Sequence, residues 1–322
     1  MKAIRVHKYG DASQLSYEEI AKPTPKVGEL RVQVEATGLN FIEIYLRTGL
    51  YQGKLPFTPG DEFAGTVDAL GEGVTDFRIG DRVATASGDE GYAQYSIAPA
   101  ETTIKVPDGI SAEQAAAVML QGITAHYLAK STYPLKPGET VLIHAAAGGV
   151  GQLLVQIAKM SGARVLATTS SEEKAKIAKE VGADEVILYS KVDFAEEVNR
   201  LTKGRGVDVV YDGVGKKTFL KGLDCLKPRG MMVTFGNASG APEAIEPRIL
   251  VRKGSLFLTR PSIGHYLQDR EEFLWRANDL FGWIQAGQLN VRVDKAFPLE
   301  KAADAQRYME AGSTKGKVLL IP

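Results

Sequence analysis

The feature that most restricts the fold of this chain is a regular alternation of strand-like and helix-like segments across residues 140–259. The strand-like runs are short and apolar, and amphipathic segments of helical length separate most of them: TVLIH, RVLATTS, EVILYS, VDVVYDG, MMVTF and SLFLT. Parallel strands are joined by long crossover connections, which usually contain a helix and are right-handed. The alternation therefore predicts an α/β fold with a doubly wound parallel sheet.

The first third of the chain has a different pattern of apolar and polar residues. RVQVEATG and GTVDALG alternate apolar with polar residues, and glycine and proline recur between such runs. This pattern predicts short antiparallel strands packed as a barrel or sandwich. Ser111 caps an alanine-rich helix that leads into the second region. The segment KTFLKGLDCLKPRG is expected to be helical, and the tail after residue 260 is too short for a core of its own. We expect two domains, residues 1–120 completed by 260–322, and residues 121–259.

Composition counts against several classes of protein. The chain has 39 basic and 39 acidic residues among 322, so its net charge is zero and no basic excess favours nucleic acid. No apolar run is long enough to span a membrane, and the start has no signal-like apolar region. Cys225 is the single cysteine, which rules out an intrachain disulfide and is expected to be a small buried residue. We expect a cytoplasmic protein.

A small-residue turn lies between the first strand and first helix of the alternating region. In TVLIHAAAGGVGQ, Ala146, Gly148 and Gly151 stand in the form AxGxxG. The second small position lets the backbone approach a pyrophosphate, and the third lets the helix pack on the strand. Free N–H groups and the helix dipole favour a doubly negative group there. The turn predicts a dinucleotide site.

The end of the second strand indicates which dinucleotide binds. NAD-binding proteins usually place an acidic residue there, but this strand ends at Ser170 and Lys174 follows within one helical turn. A hydroxyl and a lysine suit a 2′-phosphate. Glu172 and Glu173 match the helix dipole in the first turn. The sequence favours NADPH over NADH; the alternative for Lys174 is a solvated helix residue.

Residues 138–159 resemble the quinone oxidoreductases of the medium-chain dehydrogenase/reductase superfamily. The matching positions are Gly138, Glu139, Leu142, Ala146, Ala147, Gly148, Gly149, Gly151, Gln156 and Lys159. The resemblance continues through GLNFIEIYLRTGLY, PGDEFAGTV, VVYDGVG, VTFGNASG and LTRPS. Within the family, the chain is similar to the bacterial NADPH:quinone reductases, which are relatives of zeta-crystallin. It implies a GroES-like β-barrel domain beside a Rossmann domain, with NADPH in the cleft between them.

The resemblance also implies the residues of the cofactor site. Asn40 and Tyr45 would lie near the nicotinamide and Thr124 at the start of the Rossmann domain. The pyrophosphate would contact Gly148, Gly149 and Val150. The 2′-phosphate would be surrounded by Ser170, Lys174 and Tyr189, although Tyr189 could equally be an ordinary strand-end aromatic. The nicotinamide ribose would face Gly213, Phe235, Gly236 and Asn237, with Lys317 entering from the tail.

The zinc ligands of related alcohol dehydrogenases are missing from the corresponding segments. Gly60-Asp61-Glu62 replaces their GHE, Asn40 lies close to the position of their first cysteine, and no four-cysteine loop is possible. We expect no metal; a hard cation on Asp61 and Glu62 is the weaker alternative. Without a Lewis acid, the acceptors expected are electron-poor compounds such as quinones or α,β-unsaturated carbonyls.

These observations leave three functions open. The first is a zinc-independent NADPH-dependent quinone reductase that transfers hydride or single electrons. Tyr45 and Tyr51 would hydrogen-bond the acceptor oxygen and Asn40 would position the acceptor or carboxamide; the alternative for both tyrosines is pocket lining. The second is an NADPH-dependent 2-alkenal or enone reductase. The third, which the resemblance to zeta-crystallin relatives implies, is a non-enzymatic NADPH-linked RNA-binding or structural protein. The resemblance implies that SLFLTRP lies at the edge of the sheet, and an unpaired apolar edge strand there predicts a homodimer.

Overall fold

A computed structural model describes every residue of the chain, from Met1 to Pro322, and divides it into two compact units. The first unit comprises Met1–Ile123 and Tyr266–Pro322, and the second comprises Thr124–His265. The domain boundaries predicted from the sequence, at 120/121 and 259/260, stay a prediction. No helix is both long enough and apolar enough to cross a membrane.

The chain contains nine α-helices and fifteen strands. The helices are α1 Phe41–Thr48, α2 Ala112–Tyr127, α3 Gly149–Met160, α4 Glu172–Glu180, α5 Phe194–Leu201, α6 Phe219–Gly222, α7 Arg248–Arg252, α8 Arg270–Gln285 and α9 Ala302–Glu310. The strands are β1 Lys2–Val6, β2 Leu15–Glu19, β3 Glu29–Gly38, β4 Phe63–Leu70, β5 Arg82–Thr85, β6 Tyr95–Pro99, β7 Thr103–Lys105, β8 Thr140–Ile143, β9 Arg164–Thr169, β10 Glu185–Leu188, β11 Val207–Asp212, β12 Leu226–Thr234, β13 Phe257–Thr259, β14 Val293–Pro298 and β15 Lys317–Ile321.

The second unit is built on a six-stranded parallel sheet, which confirms the predicted doubly wound α/β fold. Its strand order is β10-β9-β8-β11-β12-β13. All four residues of β8 are buried, as expected of a central strand that is covered by helices on both faces. The order reverses direction between β8 and β11, and ligands of open α/β sheets bind at such a switch point, outside the carboxyl ends of the strands.

One predicted helix of the second unit is wrong. The segment KTFLKGLDCLKPRG forms only α6 and a 3₁₀ turn at Leu223–Cys225, and its last five residues already belong to β12. Pro228 cannot donate a backbone hydrogen bond to a helix interior, and Leu226 is buried in the core and paired with Val207 of β11. Cys225 is buried as predicted, in the turn, and burial raises the pKa of its thiol to about 12.

The first unit contains a seven-stranded sheet of order β14-β15-β3-β4-β5-β7, with β6 paired to β3, and a β1-β2 hairpin. Alternate side chains of β3 are buried, among them Leu30, Val32 and Val34. The tail strand β15 pairs antiparallel with β3, where Leu320 lies opposite Thr37. The tail therefore returns to the first unit, as its length predicted.

The segment after β3 is the short helix α1. Asn40 is its N-cap, and the backbone N–H of Asn40 donates to Glu43 in the third helical position, which forms a capping box. Gly49 ends the helix with φ of 79°, a left-handed conformation that favours glycine. These two ends fix where the aromatic residues of α1 lie.

Candidate functional site

The glycine-rich turn joins the end of β8 to the start of α3. Gly148 is the N-cap of α3, and its N–H donates to the Ala145 carbonyl at 2.9 Å. A Cβ on Gly151 would press on the Ala145 carbonyl and lie 2.7 Å from the Ala146 Cα, so only glycine fits there. Gly149 and Val150 form the first turn of α3, whose N–H groups have no acceptor within the helix. This turn suits a dinucleotide pyrophosphate.

The ends of β9 and β10 bring together the three residues predicted around a 2′-phosphate. Ser170 follows β9, Lys174 lies in the first turn of α4, and Tyr189 follows β10 with its N–H donating to Thr169 at 3.3 Å. Tyr189 is 47% exposed. Glu172 is ion-paired with Lys191, so that lysine partly neutralises its carboxylate. The three residues offer hydroxyls and an ammonium, and their contact with a 2′-phosphate stays a prediction.

The ends of β11 and β12 form a tight pair of loops at the switch-point side of the sheet. The Phe235 N–H donates to the Asp212 carbonyl at 2.8 Å, and a Cβ on Gly236 would lie 2.5 Å from the Gly213 carbonyl oxygen. Asn237 is buried, and its amide is best oriented with the nitrogen donating to the Gly236 carbonyl at 2.9 Å. Gly213, Phe235, Gly236 and Asn237 thus lie together on neighbouring strand ends.

The Asp212 carboxylate holds these loops in place. It accepts from the Val214 N–H at 2.7 Å, the Gly215 N–H at 3.1 Å and the Thr218 hydroxyl at 2.8 Å. It is fully buried, and its lone pairs are directed into the protein. Thr124, in α2, is also buried, and its predicted contact with the cofactor stays a prediction.

A buried polar cluster lies at the start of α1 in the first unit, and the Asn40 side chain is its centre. The Asn40 amide nitrogen donates to Glu62 at 2.9 Å and to the Gly38 carbonyl at 3.4 Å. Its oxygen accepts from the Lys317 ammonium at 2.8 Å and from Gln121 at 3.2 Å. All four hydrogen-bonding positions of the amide are therefore used, which fixes its orientation.

Glu62 and Lys317 form an ion pair within this cluster. Their side chains are 0% and 1% exposed, and the other Glu62 oxygen accepts from the Leu120 N–H at 2.6 Å. Lys317 therefore has internal partners, and its direct contact with a cofactor stays a prediction. Sequence reasoning missed Gln121 and the pairing of Glu62 with Lys317, for which no local spacing gives a signal.

Two further carboxyl groups lie near this cluster. Glu43 is buried, one of its oxygens has no hydrogen-bond partner, and burial together with the nearby Asp61 raises its pKa well above the usual range. Burial, followed by repulsion from Asp89 and Glu62, raises the pKa of Asp61 to about 6. The spacing of Asn40 and Glu43 is that of a capping box, so Glu43 could have been found from sequence.

The donor set at this point does not fit zinc. Its polar atoms come from an asparagine amide, glutamate carboxylates and a lysine ammonium, with neither cysteine nor histidine among them. The ammonium contacts Glu62 and so supplies the positive charge that a cation would bring. The chain contains no cluster of three or more His, Cys, Asp or Glu side chains able to hold a metal ion.

Three aromatic residues stand together on and after α1. The Tyr45 ring packs edge-on against Tyr51 with centroids 5.4 Å apart, and Phe41 lies 6.1 Å from Tyr45. The Tyr51 N–H donates to the Tyr45 carbonyl at 3.1 Å, and Tyr51 is 37% exposed. The structure therefore brings the two predicted acceptor contacts into one aromatic group.

Comparisons with known proteins agree with this architecture. Residues 26–108 match the alcohol dehydrogenase GroES-like domain, and residues 149–275 match the zinc-binding dehydrogenase family. A quinone oxidoreductase of Pseudomonas aeruginosa is 45% identical over 100% of this chain and 99% of its own length. A 2-haloacrylate reductase of a Burkholderia species is 44% identical over 98% of each chain.

A solved structure gives the same result in three dimensions. The Escherichia coli quinone oxidoreductase complexed with NADPH superposes with a TM-score of 0.98 at 42% identity, covering 100% of both chains. One matched family is named for zinc, which the donor set described above does not suit. Identity at this level over the full length places the chain, by sequence and by fold, in the quinone oxidoreductase family of the medium-chain dehydrogenase/reductase superfamily.

Proposed function

We propose that this protein is an NADPH-dependent quinone reductase that works without zinc. The observation that carries the proposal is the glycine-rich turn at the start of α3, with Ser170 and Lys174 rather than an acidic residue at the next strand end. When bound, NADPH supplies the hydride. The protein then has to bind the cofactor, orient the acceptor and keep water out.

The second unit supplies most of the proposed cofactor contacts. The free backbone N–H groups of Gly149 and Val150 hold the pyrophosphate, and Gly148 lets it approach the backbone closely. The side chains of Ser170, Lys174 and Tyr189 hold the 2′-phosphate. The strand-end loops bear the remaining contacts, at Thr124, Gly213, Phe235, Gly236 and Asn237. A lysine and two hydroxyl groups favour the phosphate over a free ribose hydroxyl, so we expect preference for NADPH.

The first unit supplies the proposed acceptor contacts. Tyr45 and Tyr51 present an aromatic surface with phenol groups that can donate to an acceptor oxygen. The Asn40 amide is fully engaged with Glu62, Gly38, Gln121 and Lys317, so any contact it makes with nicotinamide or acceptor replaces one of these bonds. Lys317 serves this function by fixing the Asn40 oxygen.

The proposal is tested by measuring NADPH oxidation under exclusion of oxygen, with an ortho-quinone and a 2-alkenal compared side by side. We expect turnover with the quinone and a higher kcat/KM with NADPH than with NADH. Lys174→Gln should lower kcat/KM for NADPH about tenfold, the loss of one charge-assisted hydrogen bond, and leave that for NADH unchanged. Lys176→Gln, an exposed lysine of the same helix, is the matched control. Equal rates with NADH and NADPH would contradict the cofactor assignment.

A second candidate function is an NADPH-dependent 2-alkenal or enone reductase. The observation in its favour is the 44% identity to a 2-haloacrylate reductase, an enzyme named for an electron-poor alkene. Preference for the 2-alkenal in the same assay would select it. Turnover with neither acceptor, despite tight NADPH binding, would favour the RNA-binding or structural alternative. Zero net charge counts against RNA, and RNA release on adding NADPH would be needed to support it.

We further propose that the protein forms a homodimer through the edge strand β13. This strand ends the sheet order, so one side of it has no partner strand. Phe257 is 55% exposed and Leu258 38%, and Val251 of the adjacent helix α7 is 71% exposed. An unpaired edge with exposed apolar residues favours pairing with a second copy. Light scattering at micromolar concentration tests this, and a monomer would refute it. A cytoplasmic location stays a prediction.

A further inference from the structure

Arg260 lies immediately after β13, at the carboxyl edge of the parallel sheet. One nitrogen of its guanidinium donates to the Thr234 carbonyl at 3.3 Å, the Thr234 hydroxyl at 3.2 Å and the Gly236 carbonyl at 3.4 Å. A second nitrogen donates to the Asn237 amide oxygen at 3.2 Å. The side chain is thus tied to the end of β12, at the loop predicted to face the nicotinamide ribose.

The Arg260 residue is exposed, and its charge has no carboxylate partner. All its hydrogen bonds are to uncharged oxygens, and the guanidinium has five N–H donors, so part of this capacity is unused. The carboxylate at the end of β11, Asp212, is buried and accepts hydrogen bonds from its own loop. Lys216 and Lys217, both exposed, follow β11 at the same edge. Arg260, Lys216 and Lys217 thus place three positive charges after neighbouring strands.

The phosphates of the cofactor do not account for this charge. The pyrophosphate turn follows β8, three strands from β13, and the 2′-phosphate group follows β9, four strands away. With strands about 4.8 Å apart, these distances are roughly 14 and 19 Å. Arg260 is therefore at the opposite side of the switch point from both phosphates, on the side predicted for the nicotinamide half.

We propose that Arg260 binds an anionic group of the acceptor, so that this protein favours quinones or conjugated alkenes that carry a carboxylate. The inference rests on the proposed function and adds the charge of the substrate to it. Arginine is suited to this role because its planar fork matches a carboxylate in two parallel hydrogen bonds. The contacts to Thr234, Gly236 and Asn237 hold the fork in place before the acceptor binds.

The experiment compares a naphthoquinone carboxylate with its methyl ester, which has the same ring and no charge. We expect Arg260→Gln to lower kcat/KM for the acid about 10- to 100-fold, the loss of one or two charge-assisted hydrogen bonds, and that for the ester less than threefold. The NADPH dissociation constant, measured by nucleotide fluorescence, should rise less than threefold, because backbone hydrogen bonds such as that from Phe235 to Asp212 still hold the loop. Arg252→Gln, at an exposed arginine of α7, is the matched control and should change kcat/KM for neither the acid nor the ester.

Equal losses for acid and ester, or a parallel rise in the NADPH dissociation constant, would overturn the proposal, because Arg260 would then act only on the loop or the cofactor. If Arg260→Gln fails to fold, the wild type gives the answer through salt: kcat/KM should fall with ionic strength for the acid and not for the ester.

Binding without turnover separates this inference from the proposed function. Titration calorimetry with 2-naphthoate and the NADPH-loaded protein should show binding to the wild type and its loss in Arg260→Gln. If that difference is found but no acceptor is reduced, the anion site stands and the reductase proposal fails. If acceptors are reduced but the wild type does not bind naphthoate and does not distinguish acid from ester, the reductase stands and the anion site is overturned.

Discussion

The buried cluster around Asn40 and the glycine-rich turn before α3 use polar groups in opposite ways. In the cluster, Glu62 and Lys317 lie out of water and satisfy each other, and every polar atom of the Asn40 amide has a partner. In the turn, the N–H groups at the start of α3 are left without acceptors inside the helix. The Asn40 amide has all its partners within the protein, whereas the free N–H groups of the turn are where we propose that the cofactor binds.

We therefore expect the cluster to position side chains and the turn to bind the cofactor. A buried ion pair contributes little net stability compared with an apolar pair, but removal of one partner is costly because the other charge stays buried. The cluster should therefore control the stability of the first unit and the orientation of Asn40. The turn should control cofactor affinity, with a smaller effect on folding.

The largest expected effect comes from breaking the ion pair. Lys317→Met should lower the free energy of unfolding by about 3–5 kcal/mol, since Glu62 would be left as an uncompensated buried charge. Urea denaturation followed by circular dichroism measures it. Adding Glu62→Gln should recover a large part of the loss, and Lys301→Met, an exposed lysine nearby in sequence, should cost less than about 0.5 kcal/mol. If the double variant is as unstable as Lys317→Met, the loss of stability does not come from the unpaired charge of Glu62.

The next effect tests the turn. Gly151→Ala places a methyl group against the Ala145 carbonyl and 2.7 Å from the Ala146 Cα, an overpacking that costs about 1–3 kcal/mol. We expect the NADPH dissociation constant to rise about 10- to 100-fold, measured by fluorescence titration. Gly282→Ala, in α8, meets open space and should raise stability by up to about 1 kcal/mol. Unchanged NADPH affinity in Gly151→Ala would remove the turn from the cofactor site.

The contrast also explains what the sequence could predict. The turn is local: AxGxxG between an apolar strand and a helix identifies it, and the alternation around it predicted the parallel sheet. The Glu62–Lys317 pair joins residues 255 positions apart, through the pairing of β15 with β3. No periodicity specifies that Lys317 points inward; the family resemblance implied a cofactor contact there, which stays a prediction. The start of β12 was misread because Leu223 and Leu226 have helical spacing, while Pro228 carried the opposite signal.

The last prediction concerns the pH dependence of stability beside the Asn40 cluster. The pKa of Asp61 rises from its usual 3.8 to about 6, through burial and then through repulsion from Asp89 and Glu62. The folded state therefore binds the proton more tightly than the unfolded state, and the stability contribution of Asp61 is full below pH 4 and is lost as pH rises to about 6. The loss corresponds to about 3 kcal/mol as an upper value.

Asp61→Asn should remove this dependence. Its free energy of unfolding should exceed that of the wild type at pH 7 and approach it at pH 4, measured by urea denaturation at both pH values. Asp81→Asn gives a control of opposite sign: hydrogen bonds from Lys105 and the Arg78 N–H lower the pKa of Asp81, so this variant should be less stable than the wild type at pH 7. A difference between Asp61→Asn and wild type that is the same at both pH values would show that the Asp61 carboxylate is well solvated. The region shielded from water would then not extend to Asp61, and the contrast with the glycine-rich turn would be limited to Asn40, Glu62 and Lys317.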